Sequence, residues 1–160
     1  MEIYELLARY NRALNARLRE IFDSHPGAAS GAILKQLNHL AVMDLIWIAR
    51  LGGSPDARSE SSMEATLFRS VETWWATRDD LDSRIDTLVS YAATNPGLAE
   101  RAIEFVTKAD GVNAVCRWDH ALFHLFNHHS LHRGEILRLL SDQGITFGNS
   151  DLLPFLIDSA

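Results

Sequence analysis

Residues 117–143, RWDHALFHLFNHHSLHRGEILRLLSDQ, are the stretch that decides the fold. Their apolar residues recur at helical spacing, so the stretch predicts one long amphipathic helix. It also contains five of the chain's seven histidines. Four of them follow one another at intervals of four residues: His120, His124, His128 and His132.

This histidine row is far from a random arrangement. Seven histidines scattered over the chain would give about 0.3 pairs at a separation of four, and this chain has three such pairs. Neighbours in the row lie about one helical turn apart, so two imidazoles can reach the same metal ion. Each step of four residues also rotates about 40° around the helix, so all four histidines cannot reach one metal ion. The face of His128 and His132 carries Leu125 and Leu139, which predicts that this pair faces the bundle interior.

A metal site needs at least one further ligand, and His39 is the candidate. It is the histidine inside another apolar segment, and its neighbours Val42, Met43 and Ile46 predict an inward-facing side chain. Two histidines from one helix and one from another would leave a coordination position open for water or substrate. The alternative is that these histidines are ordinary hydrogen-bonded core residues.

Other polar residues near the predicted site receive separate interpretations. Glu135 follows His132 by three residues and could be a fourth ligand, a partner of an imidazole or a general base. Asp44 lies about 140° around its helix from His39 and is interpreted as a structural polar group. His129 and His120 are interpreted as non-ligands. Spacing gives no support for Tyr91 or Cys116 at the site.

Outward from this stretch, the chain reads as an all-α bundle with four long helices. Chain breaks rich in Gly, Pro and Ser are expected at 25–27, 52–61, 95–97 and 144–150. The second helix is apolar nearly all round, which predicts burial against more than one neighbour. Three sets of apolar residues mark the other helical segments: Ile3, Leu6, Tyr10, Leu14 and Leu18; Leu34, Leu37, Leu40, Trp47 and Leu51; Leu67, Val71, Trp74, Leu81 and Leu88.

Two shorter segments are expected to add to the four helices. Residues 103–115 predict either a short β-hairpin around Asp110–Gly111 or an irregular crossover. Residues 150–156, SDLLPFL, predict a short C-terminal helix that begins with a good N-cap.

Composition bounds the function. The 160 residues contain 47% apolar and 22% charged side chains, which predicts one globular domain over 1–160. The net charge of −6 argues against nucleic-acid binding. One cysteine excludes an internal disulfide and is typical of a reducing compartment. No signal-peptide layout and no apolar run of bilayer length are visible, so a cytoplasmic protein without a membrane partner is expected.

The segment NHHSLHRGE, 127–135, resembles the hallmark of the DinB-like (DinB/YfiT-like) helical-bundle family, which is Asn-His, three residues, then His-Arg-Gly-Gln. Residues 10–18 and 37–47 resemble the family's first two helices, and residues 141–145 and 151–156 resemble the segment that follows its last helix. The resemblance implies a four-helix bundle that binds a divalent metal ion, often nickel or zinc, through His39, His128 and His132. The chain departs from the pattern at Glu135, where the family usually has Gln.

The resemblance also implies a class of activity. Some members are metal-dependent transferases or isomerases that use a low-molecular-weight thiol such as bacillithiol, mycothiol or glutathione. We therefore expect a metal-dependent thiol S-transferase in detoxification or stress response, with Glu135 orienting a ligand or moving a proton. The alternatives are a stress-linked metal-binding bundle without catalysis and a plain structural bundle. A homodimer is predicted, from the two-sided apolar second helix and the four tryptophans.

Overall fold

The computed structural model describes residues 2–52 and 57–157, and they form the predicted all-α bundle with a small hairpin. This confirms the predicted fold class. The predicted break at 52–61 includes residues 53–56, which lie outside the described residues. Five α-helices and two strands are present in the described ranges: α1 (Glu2–Ser24), α2 (Gly31–Arg50), α3 (Val71–Thr94), β1 (Ala102–Val106), β2 (Asn113–Arg117), α4 (Trp118–Ser141) and α5 (Leu153–Leu156).

Serine residues begin two of the long helices. Ser30 Oγ accepts a hydrogen bond from the Ile33 backbone N–H at the start of α2, at 3.4 Å. Ser70 does the same for Thr73 at the start of α3, at 3.5 Å. Such caps satisfy backbone donors that have no partner within the helix, and therefore fix where each helix starts.

The third helix starts later than its sequence pattern predicts. The apolar spacing places Leu67 in this helix, but α3 begins at Val71. The Leu67 and Phe68 backbone N–H groups instead donate to Asn38 Oδ1 of α2, at 2.6 and 3.1 Å. Asn38 is buried, so these bonds tie the segment before α3 to the bundle in a non-helical conformation.

The core lies between the four long helices. Helices α1 and α2 each pack against both α3 and α4. The side chains of Trp74 and Trp118 are almost completely buried there, at 1% and 0% exposure. Helix α2 also packs against the short 3₁₀ turn at Ala57–Glu60, and most of its residues are buried. This confirms that its apolar sides face more than one neighbour.

The homodimer stays a prediction, but the two features that predict it from the sequence do not form an exposed surface. The apolar sides of α2 and the tryptophan side chains Trp47, Trp74, Trp75 and Trp118 are buried within the chain itself. They are therefore not available as a dimer surface.

Helix α2 is also long and apolar enough to span a membrane by length and composition, with a mean hydropathy of 1.2. However, 67% of this apolar stretch is buried inside the bundle.

The crossover contains the hairpin that Asp110–Gly111 predicts. Strands β1 and β2 pair antiparallel, with Ile103 opposite Cys116. Gly111 has a positive φ of 71°, a conformation that glycine adopts without steric cost. The Ile103 side chain is buried, so the hairpin is fixed to one end of the bundle.

The chain ends with the predicted short helix α5, but not with the predicted cap. Its N-cap residue is Leu152, and no side chain caps it. The segment is held to α1 instead: the Tyr10 hydroxyl donates to the Ser150 carbonyl oxygen at 2.7 Å, and the Tyr10 ring meets the edge of Phe155 at 5.3 Å.

Candidate metal centre

Helices α2 and α4 bring three histidines together. His39 lies on α2, and His128 and His132 lie one turn apart on α4. One ligand nitrogen from each ring lies within 4.8 Å of the other two. The three side chains are partly buried, so they stand at the bundle surface with one side accessible. We refer to His39, His128 and His132 as the triad.

A buried polar network holds α4 against α2 and α3 beside the triad. Asp44 of α2 accepts a hydrogen bond from His129 Nε2 and one from Arg78 Nη1, both at 2.6 Å. Arg78 also contacts Asp82 at 2.9 Å. All four side chains are at most 5% exposed. Because His129 follows His128 directly, this network fixes the face that α4 turns toward His39.

The network agrees with two interpretations made from the sequence. Asp44 is a structural polar group and not a member of the triad, and His129 is a hydrogen-bonded core residue. Burial alone would raise the pKa of the Asp44 carboxyl, but His129 and Arg78 outweigh it and hold that pKa at about 2.

One pair of triad nitrogens lies at the separation that two ligands of one metal ion have. His39 Nε2 and His128 Nε2 lie 3.3 Å apart. Two imidazole nitrogens bound tetrahedrally at about 2.0–2.1 Å from a zinc ion would be separated by about 3.4 Å. The donor set and its spacing therefore fit a divalent metal ion.

The second ring nitrogens of His39 and His132 have hydrogen-bond acceptors. His39 Nδ1 lies 3.2 Å from the Met63 carbonyl oxygen. His132 Nδ1 lies 2.8 Å from Gln36 Oε1 and 3.3 Å from Glu135 Oε2. Since these acceptors favour a proton on Nδ1, the Nε2 lone pairs are left for a metal, the arrangement common around histidine ligands.

Burial and neighbouring rings keep His128 and His132 in the neutral form that ligates metals. Burial, and then the nearby His132 and His39 rings, lower the pKa of His128 to about 3. Burial and His39 also lower the pKa of His132, although Glu135 opposes this. Neutral imidazoles at pH 7 do not have to lose a proton before they bind a metal.

Glu135 contacts a triad histidine and does not line the cavity next to the triad. Of the roles considered for Glu135, its 3.3 Å contact with His132 Nδ1 matches a partner of an imidazole. Its side chain is 46% exposed and does not line the cavity described below. A catalytic role for Glu135 stays a prediction.

The structure also includes contacts that the sequence reasoning missed. Gln36 lies three residues before His39, so its helical spacing could have identified it as a neighbour on the same face. Met63 follows the 3₁₀ turn and had no periodic signal. Spacing supports neither Tyr91 nor Cys116 as a residue of the site. In the structure Tyr91 is 57% exposed, and Cys116 lines a different cavity.

A cavity of about 710 Å³ opens beside the triad. We call it the triad cavity. His39 and His132 form part of its wall, together with apolar groups such as Leu34 and Phe68. Its charged lining residues are Lys35, Glu64 and Arg69. A cavity of this size accommodates a small organic molecule, and the triad is within its reach.

The comparison with protein families decides the relationship. The model of the DinB family matches residues 2–158. The chain belongs to the DinB family. No significant match was found among curated proteins or among solved structures. Family membership and the triad together identify a DinB protein with a group of three histidines able to bind a metal ion.

The hydrogen bond between His132 and Gln36 predicts how substitutions near the triad change the affinity for a metal ion. Gln36→Ala removes the nearer acceptor of His132 Nδ1, so we expect the affinity for Ni²⁺ or Zn²⁺ to fall by about tenfold or more. Glu135→Gln keeps an acceptor in place, so the affinity should change by less than about threefold. Competition with a chromophoric chelator measures both. A larger loss in Glu135→Gln than in Gln36→Ala would indicate that Glu135 is a ligand.

Proposed function

We propose that this DinB protein is a metal-dependent thiol S-transferase, which joins a low-molecular-weight thiol to an electrophile. The observation that carries the proposal is the triad, whose three ligand nitrogens lie within 4.8 Å of one another and two of whose histidines, His39 and His132, line the triad cavity. Three protein ligands with an open position are typical of catalytic rather than structural metal sites. We also propose nickel or zinc as the ion and the cytoplasm as the location.

The chain's own residues have distinct tasks in this proposal. His39, His128 and His132 would hold the ion, and Gln36 and Met63 orient two of the rings. A bound divalent ion lowers the pKa of a coordinated thiol, so that thiolate is available at neutral pH.

The charges of the triad cavity support a polar thiol as one substrate. Lys35 and Arg69 line the cavity, and their cations complement the carboxylates that glutathione and bacillithiol carry. Glu64 lines the same cavity and can accept from an ammonium group. Leu34 and Phe68 provide apolar walls that reduce the access of water to the thiol.

A thiol panel tests the proposal. We expect the metal-loaded protein to conjugate at least one of glutathione, bacillithiol and mycothiol to monochlorobimane, about tenfold or more faster than His128→Ala, which lacks a ligand. Bimane fluorescence measures the product. His25→Gln, a histidine change in the loop after α1, is the matched control and should keep the wild-type rate.

Two outcomes would contradict the S-transferase. If the metal-loaded protein consumes no thiol faster than the reaction without protein does, it is a metal-binding bundle without this activity. If the wild-type protein and His128→Ala are equally active, the reaction does not use the triad.

A further inference from the structure

A second cavity, of about 380 Å³, lies between α2, α4 and the hairpin. We call it the hairpin cavity. Its walls are mostly apolar and aromatic, and its lining residues include Met43, Trp47, Phe105, Cys116 and His124. A cavity with these walls favours an apolar ligand over a polar one, because water in contact with apolar surface is released on binding.

The hairpin cavity and the triad cavity are lined by different histidines of α4: His120 and His124 line the hairpin cavity, and His132 lines the triad cavity. Met63 lines both cavities, and its carbonyl oxygen is the acceptor near His39 Nδ1. His124 lines the hairpin cavity, and its ring centroid is 5.7 Å from that of His128. Two triad rings thus line the triad cavity directly, and the hairpin cavity is lined by a ring next to the third, His128.

The charges of the hairpin cavity differ from those of the triad cavity. Its charged lining residues are Arg50 and Lys108, and no Asp or Glu is among the described residues that line it. Lys108 Nζ lies 3.5 Å from Glu60 Oε2, so the charge preference rests on Arg50. The Arg50 guanidinium lies over the rings of Phe105 and Trp47, at 4.2 and 4.8 Å from their centroids. It also donates to the Val106 carbonyl oxygen at 2.7 Å. A fixed cation beside aromatic walls favours neutral or anionic ligands over cationic ones.

We infer that the hairpin cavity binds the second substrate, an apolar aromatic electrophile that is neutral or anionic. This inference rests on the proposed S-transferase, and it assigns the thiol and the electrophile to two adjoining cavities that share Met63 beside the triad. In the reaction, the thiol sulfur forms a C–S bond with the electrophilic carbon. The leaving group departs with the electron pair of its bond to that carbon, and the thiol proton is released to solvent.

The single cysteine makes this cavity accessible to a selective test. Cys116 lines the hairpin cavity and is the chain's one thiol, so N-ethylmaleimide adds bulk there alone. Binding is measured with the aromatic anion 1-anilinonaphthalene-8-sulfonate by its fluorescence, which requires no activity. We expect modification, verified by mass spectrometry, to weaken probe binding about tenfold or more while Ni²⁺ affinity stays within twofold. Cys116→Ser is the matched control for the reagent, and its affinity for the probe should be the same before and after treatment.

A second variant blocks the hairpin cavity without chemical modification, in case the partly buried Cys116 thiol reacts slowly. Ala109→Trp places an indole at the hairpin cavity from the exposed turn, and should weaken probe binding in the same way. The cationic dye thioflavin T should bind the wild-type protein about tenfold more weakly than the anionic probe does. Unchanged probe affinity in both the modified protein and Ala109→Trp would overturn the inference, and equal affinity for the two dyes would overturn its charge preference.

Kinetics separate this inference from the proposed function. With an aromatic electrophile such as 1-chloro-2,4-dinitrobenzene, blocking the hairpin cavity should raise the KM for the electrophile about fivefold or more and leave the KM for the thiol within twofold. Equal rises in both KM values would contradict separate cavities. If no thiol is conjugated at all, the S-transferase fails, and the probe measurements alone decide whether the hairpin cavity binds an aromatic anion.

Discussion

His128→Ala should reduce the affinity for Ni²⁺ or Zn²⁺ by roughly a hundredfold or more. Removing a group that only orients a ligand typically costs 10–100-fold, and His128 would be a ligand itself. Its Nε2 lies 3.3 Å from that of His39, so its loss leaves two of the three converging nitrogens. Competition between the protein and a chromophoric chelator measures the change.

The matched control is another histidine of the same helix. The side chain of His120 is 68% exposed and is not part of the triad, so His120→Ala should bind metal as the wild type does. Circular dichroism of the metal-free proteins checks that His128→Ala is folded. Equal affinities of His128→Ala and the wild type would exclude the triad as the metal site.

Asp44→Ala should lower the free energy of unfolding of the metal-free protein by about 3–5 kcal/mol. The substitution leaves the Arg78 cation and the His129 ring without the carboxylate that both contact, in a region with almost no solvent exposure. Removing one partner of a buried ion pair has a large cost, because the other charge remains buried and uncompensated. Urea unfolding followed by circular dichroism measures it.

An exposed ion pair is the control for the Asp44 prediction. Asp86 pairs with Arg12 at the surface, and both side chains are nearly half exposed. Because exposed pairs contribute little, Asp86→Ala should cost less than about 1 kcal/mol. If Asp44→Ala costs no more than Asp86→Ala, the buried network does not hold the helices as described.

The same carboxyl predicts how stability depends on pH. The pKa of Asp44 in the folded protein is about 2, below its ordinary value of 3.8. The folded state therefore binds this proton less readily than the unfolded chain, and the contribution of Asp44 is complete above about pH 4 and is lost as the pH falls toward 2. The difference corresponds to about 2 kcal/mol. Asp44→Asn should lack this part of the acid dependence.

Much of the site could be predicted because helical geometry is local. The four-residue spacing of His128 and His132 places both rings on one face, and the apolar neighbours of His39 indicate an inward direction. The assignment of Asp44 to another face of α2 follows from the same rotation. These inferences need no knowledge of how the helices pack.

The remaining contacts depend on segments that meet only in the folded chain. Met63 approaches His39 from a loop, where no periodicity indicates direction. Leu67 has the spacing of a helix residue, yet Asn38 of another helix accepts its N–H and prevents the helix from starting there. The hairpin cavity likewise requires β1 and β2 to lie against α2 and α4, which no local pattern specifies.

X-ray absorption spectroscopy of the protein loaded with one equivalent of Ni²⁺ or Zn²⁺ tests the triad most directly. The account predicts one tightly bound ion whose spectrum contains three imidazole nitrogens, at about 2.0–2.1 Å for zinc. In His128→Ala, that number should fall to two or the ion should be lost. A protein that retains no ion at neutral pH, or whose bound ion has the same imidazole ligands in His128→Ala, would contradict the account.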